Sequence, residues 1–423
     1  KNKSCKDRIS RTYMIKFIHT ADIHFGMENY GRLDPKTGIH TRLLDFERAL
    51  NFCIDHAIEN DFDFFLFSGD AYKTAHPTPT QQRLLLQCFL RLYKANIPVI
   101  IIVGNHDNPL SFGKAHALEI FGQLPVDGFH VINKPEIINL KTKNGPISIV
   151  GIPWPTKGNI ASSDQHLYSS AFELTNYISA AISSIIKRFA SELDPNIPAV
   201  LAGHLTVTSG IFSGSEKRAI YGTDPVFLPS QLAIEPFDYV ALGHLHRHQN
   251  LNVNGYPAVV YSGSIERVDF GERKEDKGFC AVTIFEKNKT SYEFIKTPTR
   301  PFIQIEVELN GVDDQTDQLI KEISKYNITD AVIKILYTIP VGHKDRVDLQ
   351  RIQTHCAQAM YVAGIIPIRF HEIKERRANL KVDMDLVNLL NAYFETKPEY
   401  KQQKDKLILK ALDLESECCD NES

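Results

Sequence analysis

Residues 97–107 read Ile97-Pro98-Val99-Ile100-Ile101-Ile102-Val103-Gly104-Asn105-His106-Asp107. The run from Ile97 to Val103 is too apolar and too β-branched for a strand that faces water. It fits a strand buried on both faces, as in a parallel sheet under helices. Such strands present ligands at their carboxyl ends. Here that end offers a small turn residue, an amide oxygen, an imidazole and a carboxylate. Asn and Asp are also ordinary turn residues, so a plain polar loop explains this stretch about as well. The other strand ends decide between the two.

Toward the N-terminus, Met14 to Thr20 reads as a strand that ends in Ala21-Asp22-Ile23-His24. Asp22 and His24 are two apart, so their side chains can converge from one side of extended chain. Thr41 to Asn60 has helical apolar spacing. Phe62 to Phe67 is a second buried strand, ending at Ser68-Gly69-Asp70, and Thr80 to Ala95 a second helix.

Toward the C-terminus, Gly113 to Leu124 predicts a short helix and Phe172 to Phe189 a long one. Between them, Ser148 to Ile152 is a strand closed by Pro153-Trp154-Pro155. Pro198 to Ala202 is a strand ending at Gly203-His204. Asp238 to Leu242 ends in the same way, at Gly243-His244-Leu245-His246. Antiparallel strands are expected over Ala258 to Ser262, Gly278 to Phe285 and Tyr292 to Thr297. Pro298 and Pro301 then mark a boundary near residue 300. A β-α-β-α-β order follows over Phe302–Leu309, Asp314–Tyr326, Ala331–Tyr337, Asp348–Val362 and Ile365–His371, which is a small mixed domain. Helices are expected again at Met384–Phe394 and Lys404–Leu414. Residues 1–13 and 416–423 read as flexible tails.

The chain has 423 residues, 43% hydrophobic and 23% charged, which is globular composition with room for two or three domains. A net charge of −3 gives no overall basic signature, so nucleic-acid binding would have to rest on a local patch. The 7 cysteines are scattered without CxxC pairs, which suggests reduced thiols in a cytosolic protein. No apolar run approaches the ~20 residues that span a bilayer.

Asp22, His24, Asp70, Asn105, His204, His244 and His246 all follow apolar strands. The set is carboxylate, imidazole and amide oxygen without cysteine, which suits Mn²⁺, Fe²⁺ or Zn²⁺. Seven ligands are too many for one ion with an open position. Two ions sharing a carboxylate fit the number, and two ions roughly 3.5–4 Å apart clamp the attacking and leaving oxygens of a phosphoryl displacement.

Asp22-Ile23-His24, Gly69-Asp70, Gly104-Asn105-His106-Asp107, Gly203-His204 and Gly243-His244-Leu245-His246, in that order, resemble the signatures of calcineurin-like metallophosphoesterases. Ala202 to Val207, Gly214-Ser215-Glu216, and Tyr261 to Arg267 running to Lys277-Gly278-Phe279 narrow the resemblance. They look like the SbcD-type nuclease subunits, counterparts of the meiotic-recombination double-strand-break nuclease.

The resemblance implies an α/β fold: a β-sandwich flanked by helices over 14–300, a small α+β DNA-capping domain over 301–372 and a helical segment over 373–415. It implies two divalent ions, Mn²⁺ foremost, with Mg²⁺, Fe²⁺ or Zn²⁺ as alternatives. Asp22, His24, Asp70 and His246 would hold the first; Asp70 would bridge to the second, held also by Asn105, His204 and His244. His106 would protonate the leaving 3′ oxygen or stabilise the transition state, and Asp107 would orient it.

The implied activity is Mn²⁺-dependent 3′–5′ double-strand DNA exonuclease and single-strand endonuclease, in DNA repair, recombination and replication. The implied setting is the bacterial cytosol and nucleoid, as a homodimer within a heterotetramer with an SbcC-type ABC ATPase. The apolar stripe Leu386, Val387, Leu389, Leu390 and Tyr393 would dock on that ATPase; core packing is the other reading of it. Many relatives carry His or Asp where this chain has Lys73. Lys73 is either a DNA-phosphate contact or a solvated residue, and Lys217 and Arg218 are further candidate phosphate contacts. Two other classes remain open at this point: a phosphoesterase for nucleotides or phosphoproteins, and a scaffold that has lost catalysis. A scaffold would be expected to lack ligands, and none of the seven is missing.

Overall fold

The computed structural model describes residues 14–108, 115–124, 126–156, 171–213, 224–369, 386–395, 397, 400 and 402–420. These form two compact units. The first takes the described residues up to Gln304 with Tyr326–Lys334 and Gln353–Gly364. The second takes Ile305–Lys325, Ile335–Ile352 and the described residues from Ile365 onward.

In chain order the first unit begins β1 (Ile15–Thr20), α1 (Thr41–Glu59), β2 (Phe64–Phe67), α2 (Pro79–Lys94), β3 (Val99–Ile102), α3 (Glu119–Gln123) and β4 (Phe129–Ile132). It continues with β5 (Glu136–Thr142), β6 (Gly145–Ile152), α4 (Ala171–Glu192), β7 (Ala199–His204), β8 (Thr206–Val207), β9 (Val226–Phe227) and α5 (Pro229–Leu232). Then come β10 (Tyr239–Gly243), β11 (Gln249–Asn250), β12 (Ala258–Tyr261), β13 (Gly278–Glu286) and β14 (Lys289–Lys296).

Two six-stranded sheets result, ordered β14-β13-β1-β2-β3-β4 and β11-β12-β10-β7-β6-β5. The central strands β1 to β4 run parallel, and so do β6, β7, β10 and β12. Alternation places every second side chain between the sheets. Phe17, Phe64, Leu66, Ile100 and Ile102 from one sheet meet Val200, Ala202, Tyr239 and Ala241 from the other. The outer faces are covered by helices, which is why both faces of these strands are apolar. Leu43, Phe46, Leu50 and Ile54 of α1 pack with Leu85 and Phe89 of α2 on Phe65, Phe67 and Ile101. Ile178, Ile182 and Ile186 of α4 cover Leu201, Val240 and Leu242.

Several expectations change. Ala258–Tyr261 was expected among antiparallel strands, yet β12 runs parallel to β10 and antiparallel only to β11. The reversal is made by a two-residue strand, too short to show as a period. The strands β4 and β5 were not foreseen; β5 and β6 form a hairpin closed at Thr142 and Gly145. The helix expected over Asp348–Val362 stops at His355, and the chain enters a strand at Tyr361. The third helix keeps only Glu119–Gln123.

A further sheet has the order β15 (Phe302–Glu308), β16 (Val332–Ile339) and β17 (Tyr361–Arg369). With it come α6 (Gln315–Ile323) and α7 (Leu349–His355). Asp314 caps α6 by accepting from Asp317 N at 2.9 Å. In the second unit α8 (Leu386–Glu395) packs on α9 (Lys404–Asp420). The helix α9 runs on through residues 416–420, where a tail was expected. In α8, Val387 and Tyr393 are exposed. Among the described residues no helix is long and apolar enough to cross a membrane. Cys53, Cys88, Cys280 and Cys356 are buried free thiols.

Candidate active site

The carboxyl ends of β1, β2 and β3 in one sheet and of β7 and β10 in the other open onto one place. The chain reaches it through backbone that side chains rarely adopt. Asp22, His24, Asp70 and His244 have φ of +55°, +52°, +61° and +108°. Left-handed non-glycine residues cost of order 1–3 kcal/mol each and survive only where neighbours hold them. Here the loops hold one another. Asp22 N donates to Gly69 O at 2.9 Å, and His24 N donates to Asp70 O at 3.0 Å. His244 N donates to both Asp22 carboxylate oxygens at 3.1 Å. A Cβ on Gly104 would stand 2.1 Å from Asp70 Oδ1, so this turn accepts only glycine.

Asp70 lies at the middle and is 1% exposed. Its Oδ2 is 3.4 Å from His204 Nε2, 3.8 Å from His24 Nε2 and 3.9 Å from His106 Nε2. Its Oδ1 accepts from His106 N at 2.9 Å. On one flank His24 Nε2 faces His246 Nε2 at 2.9 Å. Asp22 joins those two histidines as a possible ligand group, Asp22, Asp70 and His204 form a second, and His24, Asp70 and His106 a third. On the other flank Asn105 Oδ1 lies 2.9 Å from His204 Nε2 and 3.1 Å from His244 Nδ1. All seven side chains expected as ligands are therefore gathered around one carboxylate.

The hydrogen bonds test whether cations fit. His204 Nδ1 lies 2.8 Å from Ser68 O and His246 Nδ1 2.8 Å from Glu272 Oε1; both partners only accept, so both Nδ1 atoms carry the proton. In the neutral rings each Nε2 is then a bare lone pair. His204 Nε2 aims its lone pair at the oxygens of Asn105 and Asp70, and His246 Nε2 meets His24 Nε2. His244 Nε2 is buried with no hydrogen bond, and Asp224 Oδ2 stands 3.7 Å from it. At His204 a lone pair facing oxygens needs a positive charge between them, which a divalent cation would supply, while the His24–His246 contact is met by a cation or by a proton on His24 Nε2. Without one, a proton takes its place. Burial alone would lower His204, but the Asp70 charge and hydrogen bond outweigh it and raise the ring to about 9. Burial also raises the Asp70 carboxyl, yet His204, His106 and His24 overcome it and hold Asp70 well below the usual range.

Residues 15–248 match the family model described as calcineurin-like phosphoesterase. The chain belongs to this family. It is 27% identical over 338 residues to the SbcD component of the nuclease SbcCD of Staphylococcus epidermidis, a likeness that covers 77% of this chain and 83% of that protein. Among solved structures it is similar to a protein of Thermus thermophilus at 12% identity, covering 66% of this chain and 99% of that one with a TM-score of 0.37. It is also similar to a dimetal phosphatase from Danio rerio at 9% identity, covering 67% and 99% with a TM-score of 0.37. Family and donor set together make this a phosphoester hydrolase with a site for two divalent cations.

Within that family site, the two residues after Asn105 behave differently from each other. The His106 ring is 46% exposed, and its Nδ1 donates to Lys73 O at 2.8 Å. Asp107 was expected to orient it and does not. The Asp107 carboxylate is fully buried and points back into the loops. It accepts from Asp70 N at 2.9 Å, Gly104 N at 3.1 Å, Tyr72 N at 3.1 Å and Ala71 N at 3.3 Å. These N–H groups have left their strands and need an acceptor. Burial, then the neighbouring Asp70 charge, pushes the Asp107 carboxyl up to about 6, against these donors.

Lys73 thus meets the site through its carbonyl. Lys217 and Arg218 lie outside the described residues, as does the Gly214-Ser215-Glu216 loop. His248 stacks on Phe294 at 4.1 Å, and His19 is buried against Tyr239 and Leu242, so both are packing histidines. Trp154 lies beside His204 and His244, with ring centroids 6.0 and 5.0 Å away. The residue that sequence reading missed is Glu272. It sits in a 3₁₀ turn, Phe270–Glu272, after no apolar strand, so nothing in the spacing marks it.

Two outcomes follow from this geometry. Asp107→Asn should destabilise the fold by about 2–4 kcal/mol, since it leaves buried N–H groups without a full acceptor. Its effect on catalysis should add to that of His106→Ala. A loss that vanishes in the His106→Ala background would instead make Asp107 an orienter of that ring. Second, a His204 value above the ordinary 6.5 stabilises the cation-free fold below that pH, and this support fades as the pH rises toward 9. Cation binding at pH 7 must then displace a proton. The calorimetric binding heat should vary with the ionisation enthalpy of the buffer, and a buffer-independent heat would contradict it.

Proposed function

We propose that this chain is the nuclease subunit of an SbcCD-type complex and hydrolyses DNA phosphodiesters with two divalent cations, Mn²⁺ foremost. The observation that carries the reading is the gathering of seven ligand-type side chains around Asp70, with the His106 ring open beside it. The likeness to an SbcD-type nuclease over 77% of the chain points to DNA as the substrate.

Bound cations neutralise phosphate charge and lower the pKa of water at the site. The chain's own residues do the rest. Asp22, His24, Asp70 and His246 would hold one ion, and Asp70, Asn105, His204 and His244 the other. His106 Nε2, free of backbone partners, is the group placed to meet the leaving 3′ oxygen. The Lys73 carbonyl keeps its Nδ1 protonated, so Nε2 is the atom that exchanges the proton.

The proposal extends to 3′–5′ exonuclease action on double strands and endonuclease action on single strands, in DNA repair, recombination and replication, in a cytosolic homodimer. The cap over 301–372 would guide DNA, and the segment 373–415 would dock an SbcC-type ABC ATPase. The Lys73 side chain, Lys217 and Arg218 would contact phosphates.

The test is cleavage of linear duplex DNA with Mn²⁺ by wild type and His106→Ala, each with its cation content measured. His106→Ala should lower the rate ~10²–10⁴-fold with unchanged cation content. An undiminished rate would remove His106 from the chemistry. No DNA cleavage with or without an ATPase partner, while a small phosphodiester is hydrolysed, would replace DNA with a small substrate.

A further inference from the structure

Outside the ligands themselves lies a buried charged chain that the reaction does not require. Glu272 and Lys277 both have side chains that are 0% exposed, with 3.0 Å between Lys277 Nζ and Glu272 Oε2. Glu272 Oε1 accepts from His246 Nδ1 at 2.8 Å, and Oε2 also accepts from Val268 N at 2.8 Å. Lys277 Nζ donates further to His246 O at 3.0 Å and to Glu275 Oε2 at 3.1 Å. The ammonium thus has three acceptors for its three protons. His246 is held twice, by its ring through Glu272 and by its carbonyl through Lys277. Ser264 N reinforces this by donating to the same carbonyl at 3.0 Å.

The other histidines are held differently. His204 Nδ1 donates to the carbonyl of Ser68 and His106 Nδ1 to the carbonyl of Lys73. Both acceptors are neutral, and His244 Nε2 has a carboxylate, Asp224 Oδ2, only at 3.7 Å. A carboxylate acceptor makes the far nitrogen of an imidazole a stronger donor to a cation than a carbonyl does. Burying a carboxylate and an ammonium is costly unless their geometry satisfies both. This pair satisfies every group: Glu272 meets Lys277, His246 and the Val268 N–H, and Lys277 meets Glu272, Glu275 and the His246 carbonyl.

We propose that the buried Glu272–Lys277 pair is a positioning device that makes the cation site of Asp22, His24 and His246 the tighter of the two, so that the ions enter in a fixed order. This rests on the two-cation reading above. Glu272 touches neither substrate nor cation and acts only through His246. The sites are unequal by construction: a fully buried anion accepts from His246 at 2.8 Å, whereas in the other site His204 is backed by a carbonyl and the carboxylate beside His244, Asp224 Oδ2, stands 3.7 Å from its Nε2.

The experiment is a Mn²⁺ titration of the full-length protein by calorimetry, with bound metal counted by elemental analysis. Wild type should show two steps of different affinity. Glu272→Gln should weaken the tighter step ~10–100-fold and leave the weaker step in place. The double variant Glu272→Gln with Lys277→Met removes both charges together, so no lone charge is buried, and it should show the same selective loss with a native circular dichroism spectrum. Nitrogen NMR of the His246 ring adds a readout independent of activity: protonation at Nδ1 in wild type, and a mixed tautomer in the double variant. Equal weakening of both steps, or an unchanged tighter step, would overturn the proposal while leaving the two-cation reading intact. A wild type that binds no Mn²⁺ would overturn both.

Discussion

A carboxylate as deeply buried as Asp70 must be met by positive charge, and its surroundings are arranged to bring that charge to it. Three imidazole nitrogens lie within 3.9 Å of its Oδ2. Two of those rings have their far nitrogen tied to a backbone carbonyl, which leaves Nε2 facing inward. The left-handed turns at Asp22, His24, Asp70 and His244 are the backbone counterpart of the same requirement. Each turns a strand end sharply enough for its side chain to reach one point. The four N–H groups gathered on Asp107 and the close approach of Gly104 to Asp70 keep those turns in place.

The two sheets explain why such strain persists. Strands buried on both faces are held by cores between the sheets and beneath the helices, so their ends are rigid supports. The site draws three loops from one sheet and two from the other, and the inter-sheet core of Phe17, Leu66, Ile102, Val200 and Tyr239 fixes their relative position. Burial that would be wasteful in an isolated loop becomes a means of preorganisation. The partners of the rings, Glu272 for His246, Ser68 for His204 and Lys73 for His106, then set which nitrogen of each is bare.

Much of this was legible in the sequence because its signal is local. An apolar run followed by a ligand-type residue marks a strand end, and the five such endings, readable without knowledge of sheet order, meet at one place in the fold. What was not legible depends on geometry across the chain. The direction of β12 is set by a two-residue reversal, and β4 and β5 have no strong alternation. Glu272 is distant in sequence from His246 and follows no motif. Asp107 was legible as a residue of the site but not in its role: adjacency to His106 suggested a ring partner, while the open N–H groups of two loops claimed its carboxylate. Lys73 drew attention for its side chain, yet its carbonyl holds His106.

The most direct measurement is the number of divalent cations bound per chain, by elemental analysis after equilibration with Mn²⁺, in wild type and in Asp70→Asn. That substitution preserves shape and removes the charge at the centre. Two ions in wild type and fewer than one in Asp70→Asn is the expected result, with the fold retained by circular dichroism. Two ions in both proteins would contradict the central place given to Asp70.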